Sequence, residues 1–245
     1  TKGSTVGESL ITDLQIDELS GFFIDSNLNI YVAEHQSHKV TKWTPPYIVG
    51  NETIVAGGNG SGSGNNQLNE PFGVFVDESQ NIYVSDGQNH RVMKWAPNAS
   101  EGVLVAGGNG AGAALNQLHY PMELYVHRSG DIYITDESNG RIIKWGNGDS
   151  EGIVVAKNLA VPRGFHVTED KVIYIADREN DRVIKWKENY SEGVVISSGR
   201  ENSTFNDPSD VFIDANGDIY VADKAIARIE KILQFPELRI KAVEI

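Results

Sequence analysis

Short runs of β-branched and aromatic residues, separated by residues that favour turns, recur along the whole chain. The clearest example covers residues 71–95, where three runs at 71–77, 81–86 and 89–95 are separated by short turn-forming segments. Apolar runs of this length, bounded by turn formers, are typical of β-strands. The pattern therefore predicts a unit of strand, turn, strand, turn and strand.

The same unit occurs five times. Its tyrosine is followed twelve residues later by a tryptophan in four copies and by an isoleucine in the last. The tyrosines are Tyr31, Tyr83, Tyr133, Tyr174 and Tyr220, and their partners are Trp43, Trp95, Trp145, Trp186 and Ile232. The offset is constant although the copies are spaced 52, 50, 41 and 46 residues apart. This self-similarity indicates a repeated structural unit with variable connections.

A fourth apolar run follows the third in every copy, so each repeat predicts four strands. These runs lie at residues 53–57, 102–107, 152–156, 193–196 and 238–243. Four antiparallel strands repeated in series predict an all-β fold, a β-propeller whose blades are the repeats. The sequence thus predicts a single domain over residues 1–245, with the tryptophans packed between blades. The repeats cover about 17–57, 69–108, 119–156, 160–199 and 206–245.

One copy carries Asn-His-Arg-Val at residues 89–92, after Pro-x-Gly-Val-x-Val-Asp at 71–77 and Asn-Ile-Tyr-Val-x-Asp at 81–86. This pattern resembles the NHL repeat, and the resemblance extends over all five units, from Asp17 to about Ile232. The resemblance implies a propeller of the NHL type, a family whose members usually have six blades. The other copies depart from the three letters and have Ser-His-Lys at 37–39, Asn-Gly-Arg at 139–141, Asn-Asp-Arg at 180–182 and Ile-Ala-Arg at 226–228.

Only five blades are visible in this sequence, which leaves three arrangements open. The ring closes with five blades, a sixth blade lies outside the sequence, or another molecule completes an open ring. Residues 1–11 could add a strand to the exposed sheet edge of a neighbour. Such heterologous addition predicts a homo-oligomer or a filament.

An acid ends the second strand of every repeat, and a base opens the third. The acids are Glu34, Asp86, Asp136, Asp177 and Asp223, and the bases are Lys39, Arg91, Arg141, Arg182 and Arg228. An acid and a base on either side of one turn can stabilise the hairpin through charge-assisted hydrogen bonds. Because the pair occurs in all five units, we predict a structural role, since an active site is needed only once.

The residues that enter the first strand of each repeat are expected to converge at the mouth of the propeller channel. Glycine is third in three of the five entry triplets, whereas Glu123 and Asp210 take its place in the other two. Departures from a repeat are where an added function is expected, so these two carboxylates are candidate metal ligands. Some propellers similar to the NHL type hold calcium, which takes oxygen ligands. The other predicted mouth residues are Met122, Arg163 and Ser209, with His119 or His166 nearby.

Composition excludes several classes of partner and chemistry. The formal net charge is −13, from 34 acidic and 21 basic residues, which argues against nucleic acid and anionic membrane surfaces as partners. No apolar run approaches the roughly 20 residues that span a bilayer. The chain contains no cysteine, so it has no disulfide, thiolate metal site or cysteine nucleophile.

Five Asn-x-Ser/Thr acceptor sequences occur, where 20 Asn and 27 Ser plus Thr residues predict about two by chance. They begin at Asn51, Asn59, Asn98, Asn189 and Asn202. Three of them follow the third strand of their repeats, and a glycan needs such an exposed loop. The sequence therefore predicts a secreted, extracellular glycoprotein with one decorated rim.

Together these features predict a non-catalytic module that binds protein or glycan through the faces or edges of the propeller. The repeated framework is intact, and no catalytic residue and no cofactor are assigned. Gly-x-Ser-x-Gly occurs once, at residues 60–64, in a loop without the strand-turn-helix context of a nucleophile. The alternative is a calcium-dependent hydrolase of lactones or esters, or a lyase, with its site at the channel mouth.

Overall fold

Successive strands pair antiparallel with their sequence neighbours along the described part of the chain. The structure is a computed structural model that describes residues 19–48, 50–198 and 205–232. Three short 3₁₀-helices, at Gly87–Asn89, Glu137–Asn139 and Arg178–Asn180, lie in the turns between second and third strands. The strands are β1 Leu19–Ile24, β2 Ile30–Glu34, β3 Lys39–Trp43, β4 Thr53–Gly57, β5 Pro71–Val76, β6 Ile82–Asp86, β7 Arg91–Trp95, β8 Val103–Gly107, β9 Pro121–Val126, β10 Ile132–Asp136, β11 Arg141–Trp145, β12 Ile153–Ala156, β13 Pro162–Val167, β14 Val172–Asp177, β15 Arg182–Lys187, β16 Val194–Ser198, β17 Pro208–Ile213, β18 Ile219–Asp223 and β19 Arg228–Ile232.

These strands form five sheets, which we number blades 1 to 5. Blades 1 to 4 consist of β1–β4, β5–β8, β9–β12 and β13–β16, and blade 5 has β17–β19 within the described residues. Within each blade, hydrogen-bonded neighbours follow one another in sequence order. This is the blade topology of a β-propeller, so the predicted all-β fold class is confirmed. The predicted fourth strand at 238–243, the strand-donating segment 1–11 and Asn202 lie outside the described residues.

The chain divides into two compact units, Thr1–Val154 and Val155–Ile245. The first contains blades 1 to 3 up to Val154, and the second contains blades 4 and 5. The prediction of a single domain over the whole chain stays a prediction.

The core of the first unit lies between its blades. One cluster joins Tyr31, Ala33 and Val40 of blade 1 to Val74 and Trp95 of blade 2. We call the surface that a blade turns toward the next blade its trailing face, and the opposite surface its leading face. In this cluster the trailing face of blade 1 therefore packs on the leading face of blade 2.

Corresponding clusters join the other neighbouring blades within each unit. Tyr83 and Val92 of blade 2 meet Trp145 of blade 3. In the second unit, Tyr174 of blade 4 lies in one cluster with Val221 of blade 5. The prediction that tryptophans pack between blades is confirmed for Trp95 and Trp145, which are both almost fully buried.

The first strands of neighbouring blades approach each other closely where they begin. A Cβ atom on Gly21 would lie 2.4 Å from the carbonyl oxygen of Phe72, and one on Gly73 would lie 2.6 Å from that of Met122. In the second unit, a Cβ atom on Gly164 would lie 2.7 Å from the Cα atom of Asp210. Glycine recurs in the entry triplet because backbone from the next blade occupies the position of a side chain.

Candidate functional site

The acid–base pair of blade 2 forms the centre of a buried hydrogen-bond network. Asp86 is fully buried, and its Oδ1 atom accepts the backbone N–H of Asn69 at 2.7 Å. Its Oδ2 atom accepts Nε of Arg91 at 2.7 Å and Nδ2 of Asn89 at 2.9 Å. Burial raises the pKa of the Asp86 carboxyl, and these hydrogen bonds oppose that shift. The predicted structural pairing across the hairpin is therefore confirmed here.

Arg91 also holds the glycine-rich connection that leads into its blade. The guanidinium donates to the carbonyl oxygens of Ser63 at 2.8 Å, Gly64 at 3.0 Å and Gln67 at 3.1 Å. Arg141 makes the same three contacts in blade 3, with Ala113, Ala114 and Gln117. The acid–base pair thus fixes the connection between blades as well as the hairpin.

The histidine of the hairpin links one blade to the next. His38 Nδ1 accepts the backbone N–H of Glu70 at 3.1 Å, and His90 Nδ1 accepts that of Tyr120 at 3.2 Å. In the second unit, Oδ1 of Asp181 accepts the N–H of Asp207 in the same way at 3.1 Å. In these three blades the side chain at this position presents an unprotonated acceptor to the following blade, whereas Gly140 and Ala227 have none to offer.

His90 should make the folding stability depend on pH. Burial lowers the pKa of His90, and the ring of His119, 5.5 Å away, lowers it further against the opposing charges of Asp136 and Asp86. The unfolded chain then binds more protons than the folded chain below about pH 6.5, the ordinary histidine pKa. We expect the free energy of unfolding to be highest above this pH and to fall as the pH drops, as measured by urea denaturation.

His90→Asn is the matched control for this pH dependence. Asparagine keeps an oxygen acceptor and tolerates the positive φ of 53° at this position. Since its side chain does not titrate, the variant should lose less stability on acidification than the native protein. Parallel curves for the two proteins would show that His90 does not contribute.

A cluster of polar and aromatic side chains lies on the surface of the first unit, where these hairpins meet the strand entries. We call it the Glu70 cluster. Oε2 of Glu70 accepts Nε2 of Gln88 at 2.9 Å and the hydroxyl of Tyr120 at 3.0 Å, and it lies 3.5 Å from Nε2 of His35. Phe72 lies between the rings of His35 and Tyr120, with centroid distances of 4.8 and 5.4 Å. The cluster consists of His35, Glu70, Phe72, Gln88 and Tyr120.

The Glu70 cluster presents a carboxylate, a hydrogen-bond acceptor, beside aromatic rings. The hydrogen bond from Gln88 is the largest influence on the pKa of Glu70 and lowers it, so the carboxylate stays ionised at neutral pH. Gln88 is exposed, and the other four side chains are partly exposed. An anionic acceptor beside aromatic rings can bind hydroxyl groups or a cation.

The sequence did not single out these five residues, because they are contributed by three blades and lie up to 85 positions apart. They do occupy positions where the repeats differ. Glu70 corresponds to Tyr120, Val161 and Asp207 in later repeats, each directly before the entry proline. A comparison of every position across the five repeats, rather than of the third entry residue alone, could have found the cluster.

The predicted channel-mouth residues have local structural roles. Glu123 and Asp210 each accept the backbone N–H of the following residue, at 3.3 and 2.8 Å. Desolvation by the surrounding protein raises the pKa of the Asp210 carboxyl to about 6, although the residue keeps an exposed surface. Met122 is buried, and the Ser209 hydroxyl donates to the carbonyl oxygen of Ala222 at 3.2 Å. Arg163 is half-buried on β13.

The predicted calcium site rests on the carboxylates of Glu123 and Asp210. Within residues 19–48, 50–198 and 205–232, no three histidine or carboxylate side chains converge as metal ligands. Calcium takes about six to eight oxygens. Glu123 and Asp210 belong to different compact units, and the proposal that they share a metal stays a prediction.

The predicted glycan acceptors differ in their local geometry. Asn51, Asn98 and Asn189 are exposed, and the last two occupy the same positive-φ position of a tight turn after the third strand. Asn59 is different, because its Nδ2 donates to the carbonyl oxygen of Asn66 at 2.9 Å within the glycine-rich loop. A glycan at Asn59 would compete with that contact, so Asn98 and Asn189 have the most favourable geometry.

Comparison with known proteins gives the fold. No protein-family model and no curated protein sequence matches the chain. Among solved structures, it is similar to a catalytically inactive virginiamycin B lyase from Staphylococcus aureus with quinupristin, with a TM-score of 0.67 and 11% identity over 91% of this chain and 69% of that one. It is also similar to an auxiliary nutrient binding protein from Bacteroides ovatus, with a TM-score of 0.69 and 14% identity over 90% of this chain and 60% of that one.

Both neighbours are β-propeller proteins, and at these identities the likeness shows a shared fold alone. The chain spans less than two thirds of the nutrient binding protein. No helix in the described ranges is long and apolar enough to cross a membrane. The chain is therefore a β-propeller, and its function has to be argued from its own surface.

Proposed function

We propose that this propeller is a non-catalytic binding module of the NHL type that engages a glycan or a protein through the Glu70 cluster. The observation that carries the proposal is the ionised Glu70 carboxylate, held by Gln88 and Tyr120 beside partly exposed aromatic rings. The acid paired with a basic side chain recurs in the second unit as Asp207 with Arg178, whereas the flanking rings of Phe72 and Tyr120 have no aromatic equivalents there. A site that occurs once on a repeated scaffold is typical of a function added to a fold.

The chemistry favours a neutral or cationic ligand. Sugar hydroxyls donate hydrogen bonds to carboxylates, and a lysine or arginine side chain would gain both a charge-assisted bond and an aromatic contact. The net charge of −13 disfavours an anionic ligand. That one structural neighbour is a nutrient binding protein supports a binding role for a propeller of this kind.

Secretion and N-glycosylation are part of the same proposal. Their support is the exposure of Asn51, Asn98 and Asn189 on turns and connections that follow the third strands. The intact mass of protein purified from its source, measured before and after enzymatic deglycosylation, tests this part.

Binding through Glu70 is tested with a panel of immobilised glycans and basic peptides, probed with the labelled protein. We expect Glu70→Gln to weaken the strongest interaction at least about tenfold, because a hydrogen bond to a charged group contributes about 1.5–3 kcal/mol. Phe72→Ala should weaken the same interaction.

Glu78→Gln is the matched control, since it removes the same charge from an exposed turn outside the cluster. It should bind as the native protein does. Equal binding by the native protein and Glu70→Gln would overturn the assignment of the site.

The alternative is a hydrolase or lyase at the predicted channel mouth. The observation that favours it is Asp210, whose pKa of about 6 would allow it to exchange a proton near neutral pH. Turnover of a lactone or ester that disappears in Asp210→Asn but persists in Glu70→Gln would favour this alternative over the binding module.

Self-assembly by strand exchange is a separate part of the proposal. It assigns the added strand to residues 1–11, which lie outside the described residues. If the native protein forms oligomers, the variant that lacks residues 1–12 should be monomeric. Oligomers of unchanged size in that variant would contradict strand exchange.

A further inference from the structure

The acid of the Glu70 cluster has an equivalent in the second unit that is paired with an arginine. Glu70 and Asp207 are equivalent, because each directly precedes the entry proline of its blade. His35 and Arg178 are equivalent, because each directly follows the acid that ends the second strand of the preceding blade. In the second unit, Nε of Arg178 donates to Oδ1 of Asp207. The repeat thus shows that an acid at this position can bind a guanidinium.

The two acids share the same backbone setting. The N–H of Glu70 donates to Nδ1 of His38, and the N–H of Asp207 donates to Oδ1 of Asp181. Both acids have a positive φ, of 52° and 66°. The two positions therefore differ in their side-chain partners. An arginine is always charged, whereas His35, whose Nε2 lies 3.5 Å from Oε2 of Glu70, is charged only when it is protonated.

One oxygen of the Glu70 carboxylate is left for a ligand. Its Oε2 atom accepts hydrogen bonds from Gln88 and Tyr120, whereas Oε1 accepts none from the residues at 19–48, 50–198 and 205–232. The Glu70 side chain is 30% exposed. The two neutral donors hold the carboxylate in place without neutralising its charge. An ionised acceptor that is fixed in this way is suited to a charge-assisted hydrogen bond with a cation.

The ring of Phe72 adds a feature that the second unit lacks, since its equivalent in blade 5 is Ser209. The Phe72 ring is partly exposed and lies between the rings of His35 and Tyr120. Glycine at position 87 leaves room for it, because a Cβ atom on Gly87 would lie 3.1 Å from Cδ2 of Phe72. A planar guanidinium can stack on an aromatic ring while it donates to a neighbouring carboxylate.

We propose that the Glu70 cluster binds the guanidinium of an arginine side chain presented by a protein partner, in the role that Arg178 has toward Asp207. Oε1 of Glu70 accepts the charge-assisted hydrogen bond, and the ring of Phe72 covers one face of the guanidinium. The net charge of −13 favours association with a basic partner. This inference rests on the proposed binding function and narrows its ligand from a glycan or protein to one kind of side chain.

Titration of the isotope-labelled protein with N-acetyl-arginine amide, followed by nuclear magnetic resonance, tests the proposal. A single side chain is a small ligand, so the series extends to about 50 mM. We expect saturable shifts of the backbone amide signals of Glu70, Phe72 and Gln88. N-acetyl-citrulline amide is a neutral isostere and should give no saturable shifts. N-acetyl-lysine amide should bind at least about threefold more weakly, because an ammonium group does not stack on a ring as a planar guanidinium does.

His35→Arg is the most specific variant for this test. It supplies to Glu70 the cation that Arg178 supplies to Asp207, so it should weaken binding of N-acetyl-arginine amide at least about tenfold. Glu70→Gln should weaken the same interaction to a similar degree. Ser79→Arg is the matched control, since it adds the same charge at an exposed turn outside the cluster, and its binding should equal that of the native protein. Circular dichroism and thermal unfolding check that each variant is folded.

Several results would overturn the inference. They are the absence of saturable shifts in the native protein, equal binding of the arginine and citrulline derivatives, stronger binding of the lysine derivative, and unchanged binding in folded His35→Arg. The proposed function stands after any of these results if a glycan or a lysine-containing peptide binds and requires Glu70. If Glu70→Gln changes no interaction of the protein, the proposed function fails together with the inference.

Discussion

Replacement of Arg91 by alanine should reduce the free energy of unfolding by about 3–5 kcal/mol, the cost of removing one partner from a buried ion pair. Asp86 is fully buried and would lose the Nε donor that lies 2.7 Å from its carboxylate. Three carbonyl groups of the glycine-rich connection, at Ser63, Gly64 and Gln67, would lose their donors in the same change. Urea denaturation of the native protein and the variant measures the difference.

Arg228→Ala is the matched control in the last described blade. There the distance from the guanidinium to Asp223 is 3.7 Å, and the arginine side chain is 37% exposed. The Asp223 carboxylate is buried, but it keeps the backbone N–H of Asn206, and the partly exposed guanidinium also pairs with Glu230. Because a long contact from a partly exposed arginine contributes little, this variant should lose less stability than Arg91→Ala. If Arg91→Ala and Arg228→Ala lose the same free energy of unfolding, then neither the burial of Arg91 nor its contacts with the connection account for the stabilisation.

Gly73→Ala should destabilise the protein by about 3 kcal/mol, the upper end of the cost of overpacking. The added methyl group would lie 2.6 Å from the carbonyl oxygen of Met122 and 3.1 Å from the backbone nitrogen of Leu124. Both are main-chain atoms of the neighbouring first strand, so the clash can be relieved only by separating blades 2 and 3. Thermal and urea unfolding of the variant measure the effect.

The control is Gly64→Ala, where the nearest atom to a new methyl group is the side-chain oxygen of Gln67 at 3.1 Å. A flexible side-chain end can move, and alanine restricts the unfolded chain, so the stability should change by less than about 1 kcal/mol. If Gly73→Ala is as mild as this control, the close approach of the first strands is not what requires glycine.

The strands of this protein could be predicted from the sequence because their signal is local. The strand predicted at 53–57 coincides with β4, and the run predicted at 81–86 contains β6. The acid and base of each hairpin were also predictable, since they are separated by one short turn. For Asp86 and Arg91, the structure adds that the same pair holds the preceding connection.

The candidate site could not be predicted, because its contacts join distant parts of the chain. The hydrogen bond from Tyr120 to Glu70 spans 50 residues, and that from Glu70 to His38 spans 32. The sequence offered Glu123 and Asp210 as candidate metal ligands, on the assumption that a departure from glycine indicates a ligand, and this stays a prediction. In the structure, both carboxylates accept the N–H of the next residue.

The sequence by itself determined the repeat, the four-stranded unit and the acid–base pair of each hairpin, because each follows from short apolar runs and the turns that separate them. Only the tertiary structure decided why a given position needs its residue. Gly73 is required because the backbone of the next blade occupies the position of a side chain, and His90 is placed to accept the backbone N–H of Tyr120. Val40 and Ile229 likewise occupy the same repeat position, yet Val40 is fully buried and Ile229 is 75% exposed, because burial depends on packing rather than on local sequence.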